Sequence, residues 1–110
     1  MTMEPQIQAL VDKFNKKTAN DEEMRKEVEH LTKTINIDLE TEIYSVKLEN
    51  AHMSDLKAEP IEDADVVIGC TVENFQKILD KELRPMRAYL TKKITLKGKI
   101  QDLMFLKKFF

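Results

Sequence analysis

Cysteine occurs once in these 110 residues, and glycine and histidine twice each. Each shortage removes a class of function. The lone thiol, Cys70, excludes an intrachain disulfide and points to a reducing compartment, the cytoplasm. Gly69 and Gly98 are too few to build a loop that cradles phosphates. His30 and His52 have no partner at metal-ligand spacing, so no zinc site, and no metal or cofactor, is expected. Long apolar runs are missing too, and no stretch approaches the roughly 20 apolar residues that span a bilayer. Met1 to Leu10 has neither the basic region nor the apolar run expected of a secretory signal.

What is present is a chain with 42% hydrophobic and 35% charged residues, neither disordered nor fibrous in composition. Residues 1–110 are read as one domain with one core. The formal net charge of −2 hides an uneven distribution. Residues 1–76 hold 8 basic and 17 acidic side chains, whereas residues 77–110 hold 10 basic and 3 acidic ones. Such a split points to an anionic partner, or to two halves of the chain that face each other in the fold.

The apolar periodicity changes along the chain. Ile7, Leu10, Val11 and Phe14 fall on one face of a helix. Thr2 is the expected N-cap, and Pro5 lies in the first turn. Thr18 to Asp21 is expected to break this helix. A second helix then carries Met24, Val28 and Leu31, capped by Asn20 or Asp21. The period next falls to two. Ile35, Ile37 and Leu39 form one strand, and Tyr44, Val46 and Leu48 a second. Ala51 to Leu56 reads as a weaker third strand, and Pro60 marks a loop. A fourth strand has Val66, Ile68 and Cys70 on one face.

Thr71 ends that strand and caps a helix whose apolar stripe is Phe75, Ile78, Leu79 and Leu83. Pro85 opens a short helix with Met86, Tyr89 and Leu90 facing inward. Ile94 and Leu96 belong to a fifth strand that ends at Gly98, and residues 99–110 read as a last helix. The expected fold is α+β, with a mainly antiparallel five-stranded sheet covered by helices.

Little in this inventory can do chemistry. Cys70 has no neighbouring base and is read as a small buried hydrophobe. Glu62, Asp63 and Asp65 lack the spacing and turn of a calcium loop and are read as a solvated loop. The lysines near the fifth strand form no basic-aromatic platform, so nucleic acid is not expected as a partner. The surplus is apolar. Ile100, Leu103, Met104, Phe105, Leu106, Phe109 and Phe110 cover most of a helical circumference, whereas a surface helix needs one stripe. That helix is either wedged in the core, or in contact with a second copy, or beside a lipid cavity or membrane.

Residues 64–98 resemble the sterol carrier protein-2 family of nonspecific lipid-transfer proteins. The resemblance rests on three runs. They are Ala64-Asp65-Val66-Val67-Ile68, followed by a short capped helix through Phe75 and Leu79, then Arg84-Pro85-Met86-Arg87-Ala88-Tyr89-Leu90, then Lys93-Ile94-Thr95-Leu96-Lys97-Gly98. Family members usually have glycine where Lys81 and Lys92 stand, and asparagine where Arg84 stands. The resemblance implies an apolar tunnel beneath the C-terminal helix that shelters a fatty acyl, acyl-CoA, phospholipid or sterol-like ligand, with no catalysis. The lining candidates are Phe75, Leu79, Leu83, Met86, Tyr89, Leu90, Leu103 and Met104. Flexible thioethers suit varied ligand shapes. Arg87, Lys93, Lys107 and Lys108 are placed to meet an anionic headgroup or an anionic membrane surface. The alternative function is a protein-interaction or homodimerisation module that uses the apolar C-terminal helix without lipid.

Overall fold

The computed structural model describes residues 2–99. The helix expected over 99–110 lies, but for Lys99, outside these residues, and Leu103 and Met104 with it. Within them the order is α1 (Glu4–Asn20), α2 (Glu22–Val28), β1 (Lys33–Asp38), β2 (Ile43–Glu49) and β3 (His52–Met53). There follow β4 (Val66–Cys70), α3 (Val72–Leu79), α4 (Pro85–Leu90) and β5 (Ile94–Lys97). The strands form one sheet in the order β3-β2-β1-β4-β5. Three pairings are antiparallel and β1–β4 is parallel. The expected α+β architecture with a mainly antiparallel sheet is therefore present.

Register places the apolar side chains on one face. Residues directly opposite in a ladder share a face, and Ile35 is paired with Val46 on one side and Val66 on the other. Ile37 lies between Tyr44 and Ile68, and Cys70 opposes Ile94. All of these are buried, in one core with Ile7, Val11 and Phe14 of α1 and Phe75 and Ile78 of α3. The parity read for β4, with Val66, Ile68 and Cys70 inward, is the observed one.

Polar side chains on the other face fasten the chain that crosses it. Asn36 is buried, its Nδ2 donates to the Ile61 carbonyl at 2.9 Å, and its Oδ1 accepts from Ile61 N–H at 2.8 Å. Asp65 Oδ2 accepts from the Thr34 amide at 2.9 Å and from the Thr34 hydroxyl. These bonds, the amide first, hold the Asp65 carboxyl below its ordinary value. Asp65 is thus an anchor that leads the chain into β4 beside β1, and not simply part of a solvated acidic loop. The third strand is shorter than expected. After Met53 the ladder is interrupted, with Ser54 Oγ accepting from Lys47 N–H at 2.9 Å, and pairing resumes between Lys57 and Ser45. Asn15 of α1 grips that edge, accepting from Met53 N–H at 2.7 Å and donating to its carbonyl at 3.0 Å.

One expectation about α1 is corrected, and the break expected over Thr18 to Asp21 is narrowed to Asp21. The α1 N-cap is Met3, which makes no side-chain cap, and Thr2 precedes the helix without capping it. The Met3 amide donates to Glu42 Oε1 at 2.8 Å, so a distant carboxylate takes the capping role. The helix also does not break at Thr18. That residue is buried, and its hydroxyl donates to the Asn15 carbonyl at 3.1 Å, so the turn stays closed. The stop comes at Asp21, extended at φ −118°, whose side chain accepts from Met24 N–H and caps α2.

Glu42 also accepts a hydrogen bond from the Tyr44 hydroxyl, and this bond, with the Met3 amide, lowers its pKa from 4.5. A carboxylate with a lowered folded-state pKa contributes stability that is present above its unfolded value and lost as pH falls through the folded value. Glu42→Gln should therefore destabilise the protein at neutral pH. Its deficit relative to wild type should shrink in acid below the ordinary carboxylate range, as read by urea unfolding at both conditions. A deficit independent of pH would show that the Glu42 charge does not matter.

Candidate functional site

The site is built where the helices over the apolar sheet face meet. Thr71 accepts from Asn74 N–H at 3.1 Å and starts α3 as expected. Phe75 and Ile78 point into the core and Leu79 is half-buried, so α3 is anchored along one stripe. The chain then reverses sharply. Lys81 has φ 62°, and the amides of Glu82 and Leu83 both donate to the Lys77 carbonyl at 2.9 and 3.1 Å. This left-handed closure of a helix end is the one glycine favours. The same happens after α4, where Lys92 has φ 61° and Lys93 N–H donates to the Ala88 carbonyl at 2.8 Å. Lys81 and Lys92, the two departures from glycine noted in the sequence, therefore stand at two helix ends whose left-handed backbone strains a side chain.

Between α1 and the α3–α4 pair lies a cavity of about 590 Å³. Leu10 and Lys13 of α1 form one wall, and Ile78 and Leu79 of α3 another. Lys81, Leu83 and Arg84 of the connecting turn, with Pro85 and Met86 of α4, complete the described lining. The wall is apolar, and its three charged residues, Lys13, Lys81 and Arg84, are all cations. All three are exposed, so they keep their hydration while bordering an apolar space. No carboxylate is among the described lining residues. Arg84 is the N-cap of α4 but makes no side-chain cap there.

The structure brings together three of the expected lining residues, Leu79, Leu83 and Met86. Phe75 is buried in the core and does not border the cavity among the described residues. The inward face read for α4 is corrected. Ala88 is its buried residue, whereas Tyr89 and Leu90 are 37% and 74% exposed and lie outside the cavity. A six-residue helix shows too little periodicity for its inner face to be read, and the smallest side chain is the one that fits against the core. Leu103 and Met104 lie outside the described residues. Sequence reasoning missed Leu10 and Lys13. Leu10 sits at the edge of the α1 stripe and is half-buried, and Lys13 follows one turn later.

A second, polar hollow of about 280 Å³ is bordered by Asp38, Glu40, Cys70, Lys93 and Thr95. Burial pushes the Cys70 thiol up to about 11, so it is protonated and unreactive at neutral pH. Among the described residues no cluster of three or more His, Cys, Asp or Glu could hold a metal ion, and no helix is long and apolar enough to cross a membrane.

The model of the SCP-2 sterol transfer family matches residues 11–110. No curated protein sequence matches the chain. Among solved structures, a conserved hypothetical protein from Thermus thermophilus has a TM-score of 0.66 at 22% identity, covering 98% of this chain and 81% of that one. Palmitated SCP2L2 from Aedes aegypti has a TM-score of 0.63 at 16% identity, covering 90% and 88%. The inverting sec-alkylsulfatase from Pseudomonas sp. has a TM-score of 0.61 at 18% identity over 77% of this chain. This chain spans only 13% of the length of that enzyme. At these identities the likenesses establish the fold.

Replacing Lys92 with glycine should relieve its left-handed strain and raise stability by about 1 kcal/mol. Urea unfolding measures this, and a loss of stability would show that the Lys92 side chain makes a compensating contact.

Proposed function

We propose that this chain, which belongs to the SCP-2 sterol transfer family, binds a lipid by its apolar chain in the cavity between α1 and α3–α4 and carries it through water without catalysing a reaction. What supports this is the cavity wall itself. Its volume of about 590 Å³ falls within the range of roughly 300–1,000 Å³ common for ligand sites. Leu10, Ile78, Leu79, Leu83 and Met86 offer apolar contact, and Lys13, Lys81 and Arg84 offer positive charge at its border. That pairing suits an amphiphile with an anionic head, such as a fatty acid, an acyl-CoA ester or a phospholipid, better than an uncharged sterol. The palmitated Aedes aegypti neighbour is a protein of this fold that carries a fatty acid.

The energetics require no reactive group. A long-chain lipid strands on the order of 10 kcal/mol of apolar surface in water, at about 0.8 kcal/mol per CH₂, and a carrier has only to offer comparable shelter. The charged head remains near exposed cations, where the long side chains of Lys13 and Arg84 can follow heads of different size. A second reading is that the domain shelters an apolar substrate for an enzyme. It draws on the alkylsulfatase match, in which a domain of this fold is a small part of a longer chain.

The experiment is displacement of a fluorescent fatty acid, with light scattering in parallel. Wild type should bind the probe as a defined complex. Met86→Asp, which places a charge in the apolar wall, should weaken binding roughly tenfold or more, because CH₂ groups kept in water cost about 0.8 kcal/mol each. Unchanged affinity in a folded variant would move the site away from this cavity. A tight dimer that takes up no lipid would favour the interaction-module function.

A further inference from the structure

We infer that the outer face of α4 and the turn after it dock on an anionic lipid bilayer and set the cavity mouth against the membrane. The inference rests on the carrier reading for its purpose, but its observations are separate ones. The two large hydrophobic side chains exposed among the described residues are neighbours, Tyr89 and Leu90. Leu90 is one helical turn after Met86, so the two lie on the same side of α4, opposite buried Ala88. Met86 lines the cavity. An apolar path thus leads from a leucine in water to the cavity wall. An exposed leucine alone is ordinary, but one that lies a helical turn from a cavity-lining residue and is flanked in the chain by exposed cations is not.

The charge that flanks it in the chain has one sign. From Leu83 to Gln101 there is no acidic residue, and there are six basic ones, among them Arg84, Arg87, Lys92 and Lys93. These four are exposed, and none forms an ion pair among the described residues. Residues 1–76, with 17 acidic and 8 basic side chains, carry the opposite excess. Near an anionic surface such a molecule is turned so that its basic segment leads and its acidic part trails. Each Lys or Arg held at an anionic bilayer favours binding by roughly fivefold. Leu90 and Tyr89 can then enter the interface, where leucine and the amphipathic tyrosine ring are at home. Nucleic acid would be met by the same charges but gives no reason for a protruding leucine beside an apolar cavity.

The test is flotation of the full chain with vesicles of phosphatidylcholine alone and of phosphatidylcholine mixed with phosphatidylserine. Wild type should float with the mixed vesicles, far less with the neutral ones, and progressively less as salt is raised. Leu90→Ser should weaken flotation roughly tenfold. Lys92→Asn removes one charge and tolerates the left-handed backbone, and it should weaken flotation roughly fivefold while leaving fatty-acid binding in solution unchanged. Flotation indifferent to phosphatidylserine or to these substitutions would overturn the inference. So would a wild type that does not float, whether monomeric or dimeric by light scattering. Fatty-acid uptake by wild type in solution, without vesicles, separates the two claims. Uptake without flotation removes the docking face alone, and flotation without uptake removes the carrier reading alone.

Discussion

One face of the sheet is apolar from edge to edge, and no single element of the chain can cover it. Ile35, Ile37, Val46, Val66, Ile68 and Ile94 all lie on that face and are buried. The helices that bury them come from opposite sides of the chain in sequence, α1 before the strands and α3–α4 between β4 and β5. A roof made of two pieces has a seam. α1 contributes Ile7, Val11 and Phe14 to the core, and α3 contributes Phe75 and Ile78. The residues at the edges of those stripes, Leu10 and Leu79, are left half-buried on either side of the cavity. The cavity is therefore a consequence of how the sheet is covered, closed at one side by the turn that carries Lys81, Leu83 and Arg84.

The other half of the design is the fastening of that roof. Asn15 ties α1 to the edge strand, Glu42 accepts from the α1 N-terminus, and Asn36 and Asp65 hold the crossing segment against the polar face of the sheet. Each is a side chain bonded to backbone well separated in sequence, which satisfies amides that would otherwise face water or a buried void. Polar residues thus set the positions of elements whose burial supplies the driving force. The β1–β4 parallel pairing depends on the crossing segment directly, because parallel neighbours need a long connection and this one runs over the face opposite the helices.

This division explains what could be read from the sequence. Elements whose period repeats over several residues were legible: α1, β1, β2, β4 and the stripe of α3, together with the Asp21 and Thr71 caps. The long-range fasteners were not. Glu42 reads locally as a surface acid and Asp65 as one of a cluster, and only the fold brings Met3 and Thr34 to them. In the site, Leu79, Leu83 and Met86 were legible because the α3 stripe and the turn into α4 point them toward the α1 side. Leu10 and Lys13 were not, since a stripe does not reveal which edge residue borders a gap. Tyr89 and Leu90 are not legible in this way, because hydrophobicity alone does not signal burial in so short a helix, and the structure puts them in water.

The charge split acquires a structural meaning once the cavity is placed. The basic segment supplies two of the three cations at the cavity, Lys81 and Arg84, and it also carries the exposed apolar residues of α4, Tyr89 and Leu90. The central claim is that an acyl chain lies in the seam between α1 and α3–α4. It is tested most directly by methyl NMR of the protein with a fatty acid spin-labelled near the chain terminus. The methyl signals of Leu10, Leu79, Leu83 and Met86 should broaden on addition of the label, while those of Val28 and Met53, buried in the core and not among the cavity-lining residues, should not. Broadening confined to other methyls, or none at all on binding, would contradict it.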